Sequence, residues 1–386
     1  SRHSAFLAWC EAARLATTAT QLTRTDVGRG EDAHDIRRLL LLRRAQLDDP
    51  NVRRELAAEC GDPAPVGDLI FVVGGSAADP PEPLRDLLGW TLGGSPGFTG
   101  EVVEPVGGTG VGRVLRELAA AEGGSFAVHT PGADTTAARR HALALWTRLA
   151  CGAPGTVRVL AVPGDPSLWP QVQLLRTLGA RIGWLPLAPA GAPIPDPERQ
   201  LLGGTAGVVE LPVDRATVRA FLRPSRWTGG AADRDAVAAA LHQAYLRRHG
   251  AHKQPGDPAL RPFAQLPPAL QDSNRAVVDD IPAKLAAAGL RLCALAAATW
   301  PATWPDEDTL NLLAELEHGR WNAERLLAGW EAGVRDTGRF LSPHLKPWTD
   351  LDEQAKDWDR DIVRDLPVAL EQAGLGACRV ARGQGR

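Results

Sequence analysis

Residues 309–330 read TLNLLAELEHGRWNAERLLAGW, a run that carries two separate helical stripes. Leu312, Leu313, Leu316, Ala323, Leu326, Leu327 and Trp330 recur at helical spacing and predict a core face. Glu317, His318, Trp321 and Arg325 fall on a different strip of the same helix. Two copies of one segment flank the run: LPPALQDSNRAVVDDIPAKLAAAGL from Leu266, and LDEQAKDWDRDIVRDLPVALEQAGL from Leu351. Aligned without a gap, they share the opening leucine, Asp272/Asp357, Arg275/Arg360, Val278/Val363, Asp280/Asp365, Pro282/Pro367, Leu285/Leu370 and a closing Ala-Gly-Leu. Duplication around one helix predicts a small pseudo-symmetric helical module. Arg275 and Arg360 occupy equivalent places, and each is expected to pair with a carboxylate, for instance on the central helix, to lock that packing. Glu317 is expected to be shielded from water, because a buried charge persists only when it is matched.

Upstream the texture differs. DLIFVV, EVVEPV, SFAVHT, VRVLAVP, RIGWLPL and GVVEL are short apolar runs. PPEPLRDLLGW, VGRVLRELAAAE, TTAARRHALALWTRLA and SLWPQVQLLRTLG are helix-like segments between them. Strands alternating with helices of about ten or more residues predict βαβ units and a mainly parallel sheet, here a Rossmann-like α/β domain over residues 66–225. Asp79 before Pro80-Pro81 and Asp134 before Thr135-Thr136 have the chemistry of helix caps. Residues 1–65 read as a helical arm with arginine-rich faces. Residues 226–262 read as a linker with one helix, marked by Pro and Gly density near residue 255, and the all-α-rich repeat module takes residues 263–380.

The 386-residue chain is long enough for two or three cores, and 44% hydrophobic with 23% charged residues is an ordinary globular composition. A net charge of -3 argues against nucleic acid or an anionic membrane as partner. The five cysteines (Cys10, Cys60, Cys151, Cys293, Cys378) contain no C-x-x-C pair, so neither zinc nor a disulfide framework is indicated and a cytoplasmic setting is expected. No apolar run approaches the roughly 20 residues of a membrane span. Met is absent even at the start, which suggests a processed or trimmed chain and leaves segments upstream of Ser1 open.

Two strand ends are glycine-rich. FVVGGSAAD places Gly74, Gly75 and Ser76 after one strand, and PVGGTGVGR places Gly107, Gly108, Thr109, Gly110 and Gly112 before a helix. Glycine lets backbone amides approach an anion, and a helix N-terminus favours one, so either loop could cradle a phosphate; tight turns alone would also use glycine. With no lysine before Lys253, a Walker A loop is excluded. His129, Thr130, Asp165 and Ser167 would face the same rim, but no G-x-S-x-G elbow is present and no catalytic base is assigned.

The second glycine loop resembles the GGGTGTG phosphate loop of the tubulin/FtsZ family, although the spacing from Gly75 to Gly107 is too short for a complete domain of that kind. Both loops also resemble those of the glycine-rich SLOG nucleotide-binding domains. Residues from about 266 to 375 resemble the RyR domain, first described in ryanodine receptors, through LPPALQDSNR, IPAKLAAAGL, LAELEHGRW, LAGW, GVRD, SPHLKPWTDL and DRDIVRDLP. The family loop H-P-x-L-V-P-W/Y appears here as Ser342-Pro343-His344-Leu345-Lys346-Pro347-Trp348, so a histidine role at the first position does not carry over to Ser342.

The resemblance implies a bacterial-type signalling or defence-associated protein, including phage defence, that senses a nucleotide-derived small molecule. An aromatic base would stack on Trp321 while Arg325 or Arg335 meets phosphate, with Trp348 among the six of 12 tryptophans gathered in the last third. No cofactor is indicated beyond such a nucleotide ligand, and a second copy of the chain is a compatible partner. Binding is expected ahead of catalysis. The alternatives are a nucleotide- or glycoside-processing enzyme at the α/β strand ends, and a RyR module acting as a protein–protein adaptor.

Overall fold

The computed structural model describes residues 69–74, 80, 82–94, 97–104, 110–121, 125–129, 157–163, 172, 175, 180–187, 208–254 and 256–380. The helical arm expected over residues 1–65 and the caps expected at Asp79 and Asp134 lie outside them. The chain forms two compact units, one from the described parts of Ser1–Leu88 and Phe98–Leu211, the other from those of Gly89–Gly97 and Pro212–Arg386.

The first unit holds a six-stranded sheet built from β1 (Leu69–Gly74), β2 (Glu101–Val103), β3 (Ala127–His129), β4 (Arg158–Val162), β5 (Arg181–Trp184) and β6 (Val208–Glu210). All pairings are parallel and the order is β3-β2-β1-β4-β5-β6. Every residue of β1 and the last four of β4 are buried, which is why these segments read as unbroken apolar runs rather than alternating ones. Helix α1 (Glu82–Gly93) follows β1, and α2 (Gly110–Ala121) follows β2. The order reverses between β1 and β4, so the strand ends at Gly74 and Val162 mark the switch point at which doubly wound sheets take ligands.

The second unit contains α3 (Arg215–Leu222), α4 (Ala231–His249), α5 (Pro268–Asp279), α6 (Ile281–Ala287), β7 (Leu290–Ala294), α7 (Glu307–Leu327), β8 (Glu331–Ala332), β9 (Leu341–Ser342), α8 (Glu353–Gln372) and β10 (Leu375–Arg379). The two repeats fold alike. In each, a 3-10 turn (Phe263–Gln265, Trp348–Asp350) ends on a buried leucine, Leu266 or Leu351. A helix follows and stops before Gly289 or Gly374, with φ of 71° and 72°, a backbone that favours glycine. The conserved proline acts differently in the two: Pro282 sits at the start of α6 after a break at Asp280, whereas α8 runs through Pro367.

The repeats then meet as an antiparallel pair of strands. Leu292 faces Ala377, its own equivalent, while Leu375 faces Ala294 and Leu290 faces Arg379, so a pseudo-dyad passes through the Leu292/Ala377 pair. Val278/Val363, Ile281/Leu366 and Leu285/Leu370 are all fully buried equivalents, each side chain contributing about 1.5–3 kcal/mol.

The duplication also reaches further than the sequence expectation of two copies around one helix. Helix α4, which the sequence reading put in a linker, is the counterpart of α7. Arg275 pairs with Asp235 of α4 as Arg360 bonds Asn311 of α7, and the two guanidinium groups also reach the equivalent Asp272 and Asp357 on their own helices. His242 Nε2 lies 2.8 Å from the Arg261 carbonyl, and His318 Nε2 lies 2.9 Å from the Lys346 carbonyl. Two helix–loop–helix–strand units therefore build the module. Among the described residues no helix is long and apolar enough to cross a membrane.

Candidate functional site

Helix α7 starts at Asp306, whose carboxylate accepts a hydrogen bond from the Thr309 amide. Leu313, Leu316 and Ala323 are buried as expected, but Leu312, Leu326, Leu327 and Trp330 are only half-buried. The reason is that several elements, not one core, surround the helix. Helix α3 lies directly against it at Gly319, where an added Cβ would come within 2.3 Å of the Ala216 backbone. Arg215 clamps Glu315 through two bonds of 2.6 and 2.7 Å, and Asn322 donates to Thr217 Oγ1 at 3.1 Å and to the Lys346 carbonyl at 3.0 Å.

The polar strip divides into a spent half and an open half. Glu317 is 1% exposed; Lys284 Nζ lies 2.8 Å from it and Arg320 clamps it at 2.7–3.1 Å. Burial by itself would raise the Glu317 carboxyl, yet Arg320 and Lys284 outweigh it and hold the group down at about 2. Lys284 also bonds Asp280 at 2.7 Å, and Arg320 also reaches Glu324, so the charges form a closed network. His318 is equally occupied: Nδ1 is 3.2 Å from Asp359 and Nε2 faces the Lys346 carbonyl. Burial disfavours its charge, but Asp359 and that carbonyl raise it overall. Neither residue is available to a ligand.

Trp321 and Arg325 continue the strip outward. The Trp321 ring stacks on His318 with centroids 5.9 Å apart, and the Arg325 guanidinium lies 5.5 Å from the Trp321 ring and 4.9 Å from that of Trp330. The second contact follows from how the helix ends. Gly329 at φ 81° turns the chain back, and the Trp330 amide donates to the Arg325 carbonyl, which returns the indole to its own helix. Trp330 in turn meets Phe340 edge-on at 5.6 Å, and Phe340 is held in the left-handed region at φ 57° with its carbonyl accepting from Glu331. Arg325 thus lies between two indoles. Its Nε is buried without a hydrogen-bond partner, and no carboxylate pairs with it among the described residues. Burial lowers its pKa, opposed by Glu324 and reinforced by Arg320, while the guanidinium keeps its charge in water near neutrality.

The remaining candidates are dispersed. Arg335 is exposed on the loop between β8 and β9; burial lowers His344 against the pull of Asp352, and Arg335 and Lys346 add to the lowering. Trp348 lies beneath, 6.0 Å from His318, with Lys356 and Arg360 over its ring. Ser342 is buried, and its hydroxyl accepts from the His344 amide as Asp257 accepts from that of Ala259 in the other repeat. In the first unit Gly74 ends β1 with φ 85°, Gly110 opens α2, and Gly112 lies so close to Glu104 that a Cβ would meet its Oε2 at 2.6 Å. Glu104, fully buried at the end of β2, is paired with Arg116. Gly75, Ser76, Gly107, Gly108, Thr109, Thr130, Asp165 and Ser167 lie outside the described residues. No cluster that could hold a metal ion occurs among the described residues.

Sequence reasoning missed Trp330 and Phe340 as site residues, taking the first for core and not weighing the second. It also missed that the repeat starts before Leu266. The signal was present: DPALRPF from Asp257 and SPHLKPW from Ser342 align on the same offset as the rest of the duplication.

Compared with known families, residues 303–375 match the model of the RyR domain. The match spans α7 and α8 and ends at Leu375, where β10 begins, and the unit from α4 to β7 is the pseudo-symmetric counterpart of α7 to β10. No curated protein matches the chain.

Proposed function

We propose that this protein senses a nucleotide-derived small molecule, and that the outer strip of α7, formed by Trp321, Arg325 and Trp330, is where the ligand is read. The observation that carries the reading is Arg325, a guanidinium over two indole rings whose buried Nε has no acceptor and which no carboxylate pairs among the described residues. Such a group offers a flat, charged fork suited to phosphate, and the neighbouring aromatic faces suit a base. The parallel sheet with its switch point at Gly74 supports a separate binding region in the other unit, where a glycine-rich run follows β1 and β2 in the sequence. Binding is transmitted by conformational change or assembly in a signalling or defence setting.

The test is a calorimetric and thermal-shift screen of the full chain against mononucleotides, dinucleotides and cyclic nucleotides. A ligand should emerge, and Trp321→Ala should weaken it. Gly110→Asp separates the two contact regions, because it burdens only the α2 N-terminus. Absence of binding across the panel would remove the proposal.

A second reading has a specific observation behind it. Val334 (88% exposed), Phe340 (50%) and Trp358 (42%) display apolar side chains on the β8–β9 loop and α8. They suit a protein–protein contact. A chain that binds no nucleotide but whose self-association is lost on Phe340→Ser would favour this adaptor role.

A further inference from the structure

The two repeats place corresponding side chains at corresponding stations, so a station whose partner differs is informative. In the first repeat, α4 carries His242, Tyr245 and His249 where α7 carries His318, Trp321 and Arg325. The rings of His242 and Tyr245 are 5.9 Å apart at 23°, and those of His318 and Trp321 are also 5.9 Å apart at 23°. His249 lies against Tyr245 at 5.4 Å, as Arg325 lies against Trp321. The stations then diverge. His249 Nε2 is 3.3 Å from the Asp361 carboxylate, which also bonds Arg364 at 2.8 Å and approaches Arg248 to 3.7 Å. The residue equivalent to Asp361 in the first repeat is Ala276, which has no carboxylate to give. Helix α4 packs along α8, whereas α7 touches α5 only lightly. Lys253 closes the first station further, its Nζ 5.7 Å from the Tyr245 ring and 3.8 Å from Asp257.

We infer that the module holds one self-closed and one open version of the same oxoanion site, and that a phosphate or carboxylate of the ligand takes at Arg325 the place that the Asp361 side chain takes at His249. This rests on the reading of the Arg325 strip as the ligand site, and adds to it the chemical class of the recognised group and a stoichiometry of one per chain. A carboxylate of the chain itself serves one half of the duplication. The other half waits for an oxoanion from outside.

The experiment is isothermal calorimetry of the full-length chain with inorganic pyrophosphate in one arm and citrate in the other. One saturable event per chain is expected, and the stronger arm identifies whether phosphate or carboxylate is preferred. Arg325→Gln should weaken it about ten- to hundredfold, the range for losing a charge-assisted hydrogen-bonded contact, with Arg325→Lys between. Asp361→Asn should add a second, weaker event by freeing His249 and Arg364, while Arg248 stays bonded to Asp365. Circular dichroism melting of each variant separates lost binding from lost folding. Two events in the wild-type chain, undiminished binding in a folded Arg325→Gln chain, or no second event in Asp361→Asn would each overturn the inference. Pyrophosphate or citrate binding at Arg325 without any nucleotide binding would retain the inference and remove the nucleotide reading; nucleotide binding indifferent to Arg325 would do the reverse.

Discussion

Lys284 Nζ lies 2.8 Å from Glu317 Oε2, with both side chains 1% exposed, so that a charge from α6 is matched inside the protein by one from α7. The pair is also tied to Asp280 and Arg320. Removing one partner of such a pair leaves the other buried and unmatched. Lys284→Ala is therefore predicted to destabilise the module by about 3–5 kcal/mol, whereas replacing Lys284, Glu317 and Arg320 together by apolar residues of similar size should cost far less. Urea denaturation of the three chains checks this; equal costs for the single and triple replacements would show that the network does not behave as a unit.

Gly319 predicts a second effect. An added Cβ would overlap the Ala216 backbone at 2.3 Å, so Gly319→Ala must push α3 away from α7. Overpacking of this kind costs about 1–3 kcal/mol, and the displacement should also loosen the Arg215–Glu315 clamp. Thermal unfolding should show the loss, and amide exchange should show it concentrated along α3 and α7. Unchanged protection there would contradict the close approach.

A pH dependence follows from His318. Its pKa is raised above 6.5: burial opposes this, and Asp359 together with the Lys346 carbonyl prevails. For a raised histidine the stabilisation is complete below its unfolded value and is lost as pH climbs through the folded one. The wild-type chain should therefore lose its stability advantage over His318→Gln as denaturation is repeated from pH 6 to pH 9. Glu317 titrates in the other sense. Held at about 2, it keeps its contribution above the ordinary carboxylate range and loses it only as pH falls toward 2.

The sheet was legible because its central strands β1 and β4 are buried and spell continuous apolar runs, and each of the six apolar runs contains a strand. The module was legible where α5, α6 and α8 kept their leucines, prolines and terminal glycines. It was not legible at α4, where the duplication survives mainly as His242 under His318 and Tyr245 under Trp321, too little to align without the loops. Periodicity also separated the strip of Glu317, His318, Trp321 and Arg325 from the leucine face. What periodicity could not supply was the identity of the neutralising partners. Lys284 and Asp359 come from other helices and close the inner half, and only their positions reveal that Arg325 is left without a carboxylate among the described residues.

The second indole beside Arg325 gives one more outcome. Trp330→Ala should open one face of the Arg325 guanidinium and remove the support of Phe340, lowering ligand affinity while leaving the Glu317 and His318 network intact. A weaker complex with an unchanged denaturation midpoint is expected. A large loss of stability instead would mark Trp330 as a core residue after all.

Where a bound nucleotide places its phosphate is decisive, and a structure determined with the tightest ligand from the screen answers that directly. The predicted result is a phosphate oxygen within about 3 Å of the Arg325 guanidinium nitrogens, with the base against an indole of the same strip. A nucleotide found only at the β1 and β4 strand ends, with Trp321, Arg325 and Trp330 uncovered, would contradict it.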